Sequence, residues 1–298
     1  MSCEKPLVAI RLGNSFPGHK DKIKILSKYR LDETFDLVNR YGADNVLFLP
    51  CGHCASCKLK YRKDWAIRCE MESLYYTDNC FVTLTYDDEH LLPHPKREEL
   101  RYFIKKLRDI YGIKCRYFGC GEVGLKTGRS HYHVILFGYK PHDLKFYGLS
   151  KSGMDMYSSK FLEHVWSKGK VFINDFNVRC ASYVAGYVSK KFDKDNFLMF
   201  STHPGLGFNY ISDNLNHLFK YGCYTGKNGQ VSSLPRYFEK VAEKLNYYYD
   251  DIKISRKESM RDIVDSEKFS RGVTHDSELF PIKGQIMKDK LKRLKRSL

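Results

Sequence analysis

Hydrophobic and polar positions change period several times along the chain, and each change marks an element. The most legible stretch opens with Phe81-Val82-Thr83-Leu84-Thr85-Tyr86, a β-branched and aromatic run that reads as a strand. Over 97–111, Leu100, Phe103, Ile104 and Leu107 recur at helical spacing, and Gly112 ends the pattern. Segments 116–122 and 132–137 read as two strands joined by the loop Gly124-Leu125-Lys126-Thr127-Gly128. A helix is expected over 158–167, a strand over 170–176 and a further helix over 180–192. Strand–helix–strand–strand–helix–strand is the split βαβ order of a ferredoxin-like α+β fold, an antiparallel sheet with helices on one face.

Outside this stretch the pattern is looser. Residues 1–50 have little helical periodicity, and Val46-Leu47-Phe48-Leu49 reads as a short strand before Pro50. Over 58–76, Leu59, Trp65, Ala66, Cys69 and Ser73 recur at helical spacing. After Phe200, Pro204-Gly205-Leu206-Gly207 reads as a turn, and 211–221 and 237–249 as helices. The basic run 288–296, with Leu291 and Leu294 interspersed, reads as a solvated helix or tail. No internal repeat is visible. Three segments follow: an N-terminal segment with a cysteine cluster over 1–78, a core over 79–195, and a helical C-terminal extension with a basic tail over 196–298.

Composition narrows the class. With 42% hydrophobic and 14% aromatic residues among 298, most of the chain is expected to fold. A formal net charge of +16 favours a polyanionic partner, nucleic acid before an acidic membrane surface, since no apolar stretch approaches the roughly 20 residues of a spanning helix. Lys58, Lys60, Arg62 and Lys63, and Lys105, Lys106 and Arg108, lie outside the apolar stripes of their helices. Each such cluster alone reads equally well as a solvated face. Abundant tyrosine and phenylalanine make base-stacking platforms easy to supply. The start, Met1 to Pro6, lacks the layout of a secretory signal, and clustered rather than scattered cysteines point to metal ligation in a reducing cytoplasm.

Two patterns carry chemistry. His131 and His133 flank one residue on an expected strand, so their imidazoles share a face about 6.6 Å apart along the chain. Glu122 ends the preceding strand, and antiparallel pairing returns it beside them. Two imidazoles and a carboxylate leave positions open on a divalent ion: Mg²⁺ or Mn²⁺ for phosphate chemistry, with Zn²⁺ and Fe²⁺ also compatible. Alone, the histidines read equally as surface residues on an edge strand. Tyr183 and Tyr187, four apart, share a helix face with Cβ atoms about 5–6 Å apart, followed by Lys190 and Lys191. A free phenol titrates near 10, so ionising one at neutral pH costs roughly 4 kcal/mol that a nearby cation or base must offset. The competing reading is an aromatic stripe packed on the sheet, beside Val184 and Val188.

Phe81 to Thr85, then Gly121-Glu122 with His131-Tyr132-His133, then Tyr183 to Lys191, resemble in order the three motifs of HUH endonucleases. More closely, the chain resembles the replication initiation proteins of microviruses of gokushovirus type. The likeness extends from Cys3 to Tyr237 and includes 50–57, Trp65 to Cys69 and 204–207. It implies rolling-circle replication: a tyrosine attacks the origin phosphate, keeps the 5′ end as a phosphotyrosine and releases a 3′ hydroxyl, and the second tyrosine closes the cycle. It implies Glu122, His131 and His133 as metal ligands, Tyr183 and Tyr187 as nucleophiles, and Lys190 as the phosphate-positioning residue. Single-stranded origin DNA, a host helicase and a host polymerase are the implied partners, and the bacterial host cytoplasm the implied setting, with no membrane. Gly186 departs from relatives that have lysine between the tyrosines, which leaves Lys190 and Lys191 as alternatives for the charge.

Cys51-x-x-Cys54-x-x-Cys57 offers three thiolates to a structural Zn²⁺. Cys3, His53 and Cys69 are candidates for a fourth ligand. Cys69 falls on an apolar helix face, and the Cys3 to Pro6 start resembles the family's opening, so Cys3 is favoured. Reduced thiols without metal are the alternative, and Cys80, Cys115, Cys120, Cys180 and Cys223 read as packing residues. Two other functions fit parts of the pattern: a non-catalytic nucleic-acid-binding module on the same sheet, and a metal hydrolase or oxygenase using the histidines without tyrosine chemistry.

Overall fold

The computed structural model describes residues 3–13, 22–26, 34–124, 127–150, 153–188, 197–227 and 229–296, the side chains of 187, 188, 277 and 290–296 excepted. In chain order the first elements are β1 (Leu7–Arg11), β2 (Ile23–Ile25), α1 (Thr34–Tyr41), β3 (Val46–Leu49), α2 (Ala55–Ser73), β4 (Asn79–Thr85), α3 (Arg97–Lys105), β5 (Arg116–Val123) and β6 (Ser130–Phe137). There follow β7 (Lys145–Leu149), β8 (Asp155–Ser158), α4 (Lys160–Trp166), β9 (Val171–Asp175), α5 (Val178–Val188) and β10 (Phe197–Phe200). The rest is α6 (Phe208–Asp213), α7 (Leu215–Tyr221), β11 (Cys223–Thr225), β12 (Val231–Ser233), α8 (Arg236–Lys244), α9 (Asp250–Arg271) and α10 (Asp276–Arg296). Compactness groups 1–60 with 250–298, and separately 61–249.

The unit of 61–249 is built on a seven-stranded sheet of order β10-β5-β6-β4-β9-β8-β7. Its inner four strands, β5-β6-β4-β9, pair antiparallel in the order that the split βαβ connection requires. Alternation decides which side chains meet which layer. Val82, Leu84, Tyr132, Val134 and Leu136 face one way and pack with Leu100, Phe103 and Leu107 of α3 and its continuation, and with Leu162 and Trp166 of α4. Phe81, Phe118, Cys120, Ile135 and Phe137 face the other way, against Trp65 and Cys69 of α2 and Ala181 and Val184 of α5. Both helices of the split unit therefore lie on one face, while α2 and α5 cover the opposite one. Each large apolar side chain so buried contributes roughly 1.5–3 kcal/mol.

Local signals set the element ends. Ser159 caps α4 by accepting a hydrogen bond from the Leu162 backbone N–H at 3.1 Å, so that helix starts at Lys160. Past Lys105, α3 widens into a π turn over Lys106–Ile110 and stops at Gly112, whose φ of 65° is left-handed. At Gly121, paired with Phe197, a Cβ would lie 2.7 Å from the Phe197 ring and from Pro95, so only glycine lets β10 seat against β5.

The three-segment division differs from compactness for a physical reason. Both expected boundaries, 78/79 and 195/196, fall inside the unit of 61–249. Trp65 and Cys69 belong to the core under the sheet, and β10 is its edge strand. Beyond β10, Leu206 joins the same apolar cluster, the Gly207 N–H donates to Glu72 at 2.7 Å, and Arg68 lies between the rings of Trp65 and Tyr237.

The unit of 1–60 and 250–298 carries a three-stranded antiparallel sheet, β2-β1-β3, with Leu7 opposite Leu49. Its buried cluster is small: Val8, Leu37 and Val46, edged by Leu26, Val38, Tyr41 and Phe48. Here the first fifty residues depart from expectation, because α1 is a helix. Its eight residues are too short to establish a period, and only Leu37 among its apolar residues is buried. Phe280 of α10 packs on Phe48 with ring centroids 5.0 Å apart, and the helix places Lys288 of the basic run against Glu4. The expected helix over 211–221 is two helices meeting at Asn214, and that over 237–249 ends at Lys244.

Candidate metal and tyrosine site

Register assembles the first cluster. On the β5–β6 pair Glu122 stands opposite His131 and Cys120 opposite His133, while β4 places Thr83 beside His133. All five lie on the sheet face shared with α5, since their neighbours Tyr132 and Val134 point to the opposite layer. Glu122 Oε1 is 2.6 Å from His131 Nε2 and 3.2 Å from His133 Nε2. The three ligand atoms lie within 4.8 Å of one another, with Glu122 and His133 buried and His131 half-buried.

The hydrogen bonds around the imidazoles orient them. His131 Nδ1 is 3.1 Å from the Arg129 carbonyl oxygen. A carbonyl only accepts, so Nδ1 carries the hydrogen, and Nε2 of a neutral ring turns a lone pair toward the Glu122 carboxylate. Two acceptors at 2.6 Å need positive charge between them, either a proton on Nε2 or a cation. His133 Nδ1 is 3.0 Å from the Thr83 hydroxyl, which fixes the second ring in the same way. This donor set fits a divalent ion: two imidazole nitrogens and one carboxylate oxygen converge, each held from behind.

Electrostatics agree with that geometry. Burial alone would raise the Glu122 carboxyl, but hydrogen bonds from His131 and His133 outweigh it and hold the group below the ordinary carboxylate range. Burial opposes the charge on His131, yet the Glu122 hydrogen bond raises its pKa above the usual imidazole value. At His133 burial dominates and lowers it.

Helix α5 brings the phenol. Cys180, Ala181, Val184 and Ala185 pack on the sheet, which turns Tyr183 outward to 47% exposure. Its ring centroid is 5.2 Å from that of His133, which in turn stacks on Phe81 at 5.5 Å. Tyr183 therefore borders the cluster and is not part of an aromatic stripe buried against the sheet. The backbone of Tyr187 lies one turn further along α5. Its side chain, and Lys190 and Lys191 entirely, lie outside the described residues.

Two neighbours escape a reading of the motifs alone. Thr83 reads in the sequence only as a strand residue, although its i, i+2 spacing from Phe81 puts it on the face of the histidines. Arg62 of α2 donates through Nη2 to the Gly186 carbonyl oxygen at 3.3 Å, a late carbonyl of the tyrosine helix. A Cβ on Gly186 would lie 3.0 Å from the Arg62 guanidinium carbon, so the missing side chain between the tyrosines admits this arginine. No sequence pattern links positions 124 residues apart.

In the other unit, Cys3, Cys51, Cys54 and Cys57 bring their sulfurs within 4.8 Å of one another. Cys69, by contrast, is fully buried in the core under the sheet, where burial pushes its thiol up. Cys80, Cys115, Cys120 and Cys180 are likewise buried, and Cys223 is half-buried.

Elsewhere in the unit of 61–249, a cleft of about 570 Å³ is lined by Phe200, His203, Phe208, Tyr237, Lys240 and Lys244, basic and aromatic together. No helix among the described residues is long and apolar enough to cross a membrane.

Comparison with known proteins supplies the lineage. Residues 79–192 match the family model of replication-associated proteins of the ORF2 group. The chain is 30% identical over 284 residues to the replication-associated protein VP4 of Bdellovibrio phage phiMH2K, covering 84% of this chain and 89% of that protein. It is 29% identical over 280 residues to the replication-associated protein ORF2 of Spiroplasma virus 4, covering 86% of each. To the replication-associated protein ORF4 of Chlamydia phage 1 it is 34% identical over 232 residues, 71% of this chain and 58% of that protein. No solved structure matches. With the residues of the sheet and the tyrosine helix inside the matched segment, and similarity running through most of the length, the chain belongs to the family of phage replication-associated proteins.

Proposed function

We propose that this protein starts replication by nicking and rejoining single-stranded DNA at the origin through a covalent tyrosine intermediate. The observation that carries the reading is the exposed Tyr183 phenol beside a convergent Glu122–His131–His133 cluster. A pocket for hydrolysis alone would not need an exposed phenol against its metal ligands.

Glu122, His131 and His133 would hold the ion, Mg²⁺ or Mn²⁺, which when bound supplies polarisation of a non-bridging phosphate oxygen. The phenol oxygen of Tyr183 attacks the scissile phosphorus and gives up its proton to solvent or a neighbouring base. The bond from phosphorus to the 3′ oxygen breaks, and that oxygen leaves as a hydroxyl after taking a proton. The 5′ end stays on the tyrosine as a phosphodiester, so the reverse attack by a 3′ hydroxyl rejoins the strand without ATP. Tyr187 takes the second attack after one round of synthesis, and Lys190 or Lys191 steadies the phosphate. Phe200, Phe208 and Tyr237 offer stacking faces and Lys240 and Lys244 phosphate contacts for the flanking strand. A host helicase and polymerase would extend the released 3′ end in the bacterial cytoplasm.

The test is to incubate the protein with Mn²⁺ and end-labelled single-stranded origin DNA, denature, and look for label on the protein. The adduct should form in the wild type and vanish in a Tyr183→Phe, Tyr187→Phe double variant. Clean binding without an adduct under any divalent ion supports a binding module instead. A free 5′ phosphate without an adduct supports a hydrolase.

A further inference from the structure

The catalytic reading leaves the cysteine cluster unused. We infer that Cys3, Cys51, Cys54 and Cys57 hold a structural zinc ion as four thiolates, which ties the start of the chain to the loop before α2.

The topology brings the ligands together. β1 and β3 pair antiparallel with Leu7 opposite Leu49. Cys3 precedes β1 and Cys51 follows β3, so the two cysteines emerge at the same end of the sheet although 48 positions separate them. The loop then turns tightly enough for Cys54 and Cys57 to face back, with Cys57 in the first turn of α2.

The distances suit a tetrahedron. Zinc–sulfur bonds of about 2.3 Å set sulfur–sulfur edges of about 3.8 Å. Cys54 and Cys3 sulfurs are 3.8 Å apart, Cys51 and Cys57 sulfurs 4.0 Å. A disulfide would need about 2.05 Å. Backbone N–H groups also point at the sulfurs, as thiolates under a cation require. The Cys51 N–H donates to Cys3 Sγ at 3.4 Å, and those of His53 and Cys54 donate to Cys51 Sγ at 3.4 and 3.3 Å. His53 thus shapes the loop through its backbone while its side chain is exposed. Cys3 is buried and the loop thiols half-buried, so the set is closed, with no position left for a substrate.

The surroundings explain why such an ion is needed. The buried cluster of the β2-β1-β3 sheet is Val8, Leu37 and Val46, far short of what orders a sheet of three short strands. Small units of this kind are held by metals or disulfides, and a closed set of four thiols calls for the first.

The experiment measures metal in the full-length chain purified without chelator and passed through gel filtration. We expect one zinc ion per chain, loss of most of it in Cys3→Ser and in Cys54→Ser, and retention in Cys223→Ser. A His131→Ala, His133→Ala double variant should keep its zinc, which separates this site from the catalytic one. Because cysteine variants can misfold, the wild type is also stripped and reloaded with Co²⁺. Thiolate-to-cobalt absorption in the near ultraviolet, with tetrahedral bands in the visible, is the expected spectrum. Zinc that leaves with the histidines, a wild type with no zinc above that of Cys54→Ser, or a six-coordinate cobalt spectrum would each overturn the assignment.

Discussion

The two ligand clusters stand on scaffolds of opposite kind. Glu122, His131 and His133 project from adjacent strands of a seven-stranded sheet with apolar layers on both faces. Register alone aims these side chains, and Thr83 and the Arg129 carbonyl hold the rings, so the sheet needs no ion to form the cluster. Cys3, Cys51, Cys54 and Cys57 project from chain ends and a loop beside a sheet with a far smaller core. There ligation would do the ordering that packing does in the larger unit. Preorganised ligands with open positions suit an ion that must engage a substrate; a closed thiolate set suits one that only holds structure.

The comparison can be broken most sharply by removing both phenols or both imidazoles. In His131→Ala, His133→Ala the covalent adduct should fall below detection while the protein still folds, as judged by hydrogen-exchange protection of β4 and β6. If that protection collapses as well, the sheet depends on its cluster and the contrast fails. A strong chelator should act in the opposite pattern. Protection of β1 and β3 should be lost, and that of β4 and β6 kept.

Smaller changes sharpen the contrast. Thr83→Val removes the hydroxyl behind His133, and divalent-ion affinity measured by calorimetry should drop about 10–100-fold. An unchanged affinity would mean that Thr83 does not orient the ring.

Acidity probes the same cluster in the metal-free protein. Glu122 is held below its ordinary value, so its stabilisation is present above the unfolded carboxylate pKa of about 4.3 and is lost as pH falls through the folded value. His131 is held above its ordinary value, so its share is complete below about 6.5 and is lost as pH rises through the folded value. His133, lowered by burial, keeps that burial with or without the carboxylate. The Tm difference between wild type and Glu122→Gln in chelator should therefore peak between roughly pH 4.5 and 6.5. A flat difference across that range would show that the pair does not form.

The smallest effect concerns the cleft of the larger unit. Lys240→Ala, Lys244→Ala should weaken single-stranded DNA binding similarly across sequences. The slope of log affinity against log salt should become shallower by about 0.7 for each phosphate that the variant no longer neutralises. An unchanged slope would remove the cleft from the DNA path.

Much of the fold is readable where a pattern is local and long. The order of β4, α3, β5, β6, α4, β9 and α5 follows from runs that keep one period for several residues. The hairpin β7–β8 is not legible, because Lys145–Leu149 is mostly exposed and its strand character comes from pairing with Asp155–Ser158. β10 is four apolar residues whose identity as an edge strand depends on Gly121 leaving room for Phe197. α1 escapes a periodicity reading because its eight residues barely complete two turns.

By itself the sequence determined the candidate chemistry: which residues carry imidazole, carboxylate, thiol and phenol, and that His131 shares a strand face with His133. It also determined the split βαβ order, since strand and helix periods are properties of neighbouring residues. Only the tertiary structure decided that Tyr183 borders His133, that Arg62 reaches Gly186, and that Cys3 meets Cys51. Those contacts join residues dozens to more than a hundred positions apart. Strand pairing and helix packing create them, and no local periodicity encodes them.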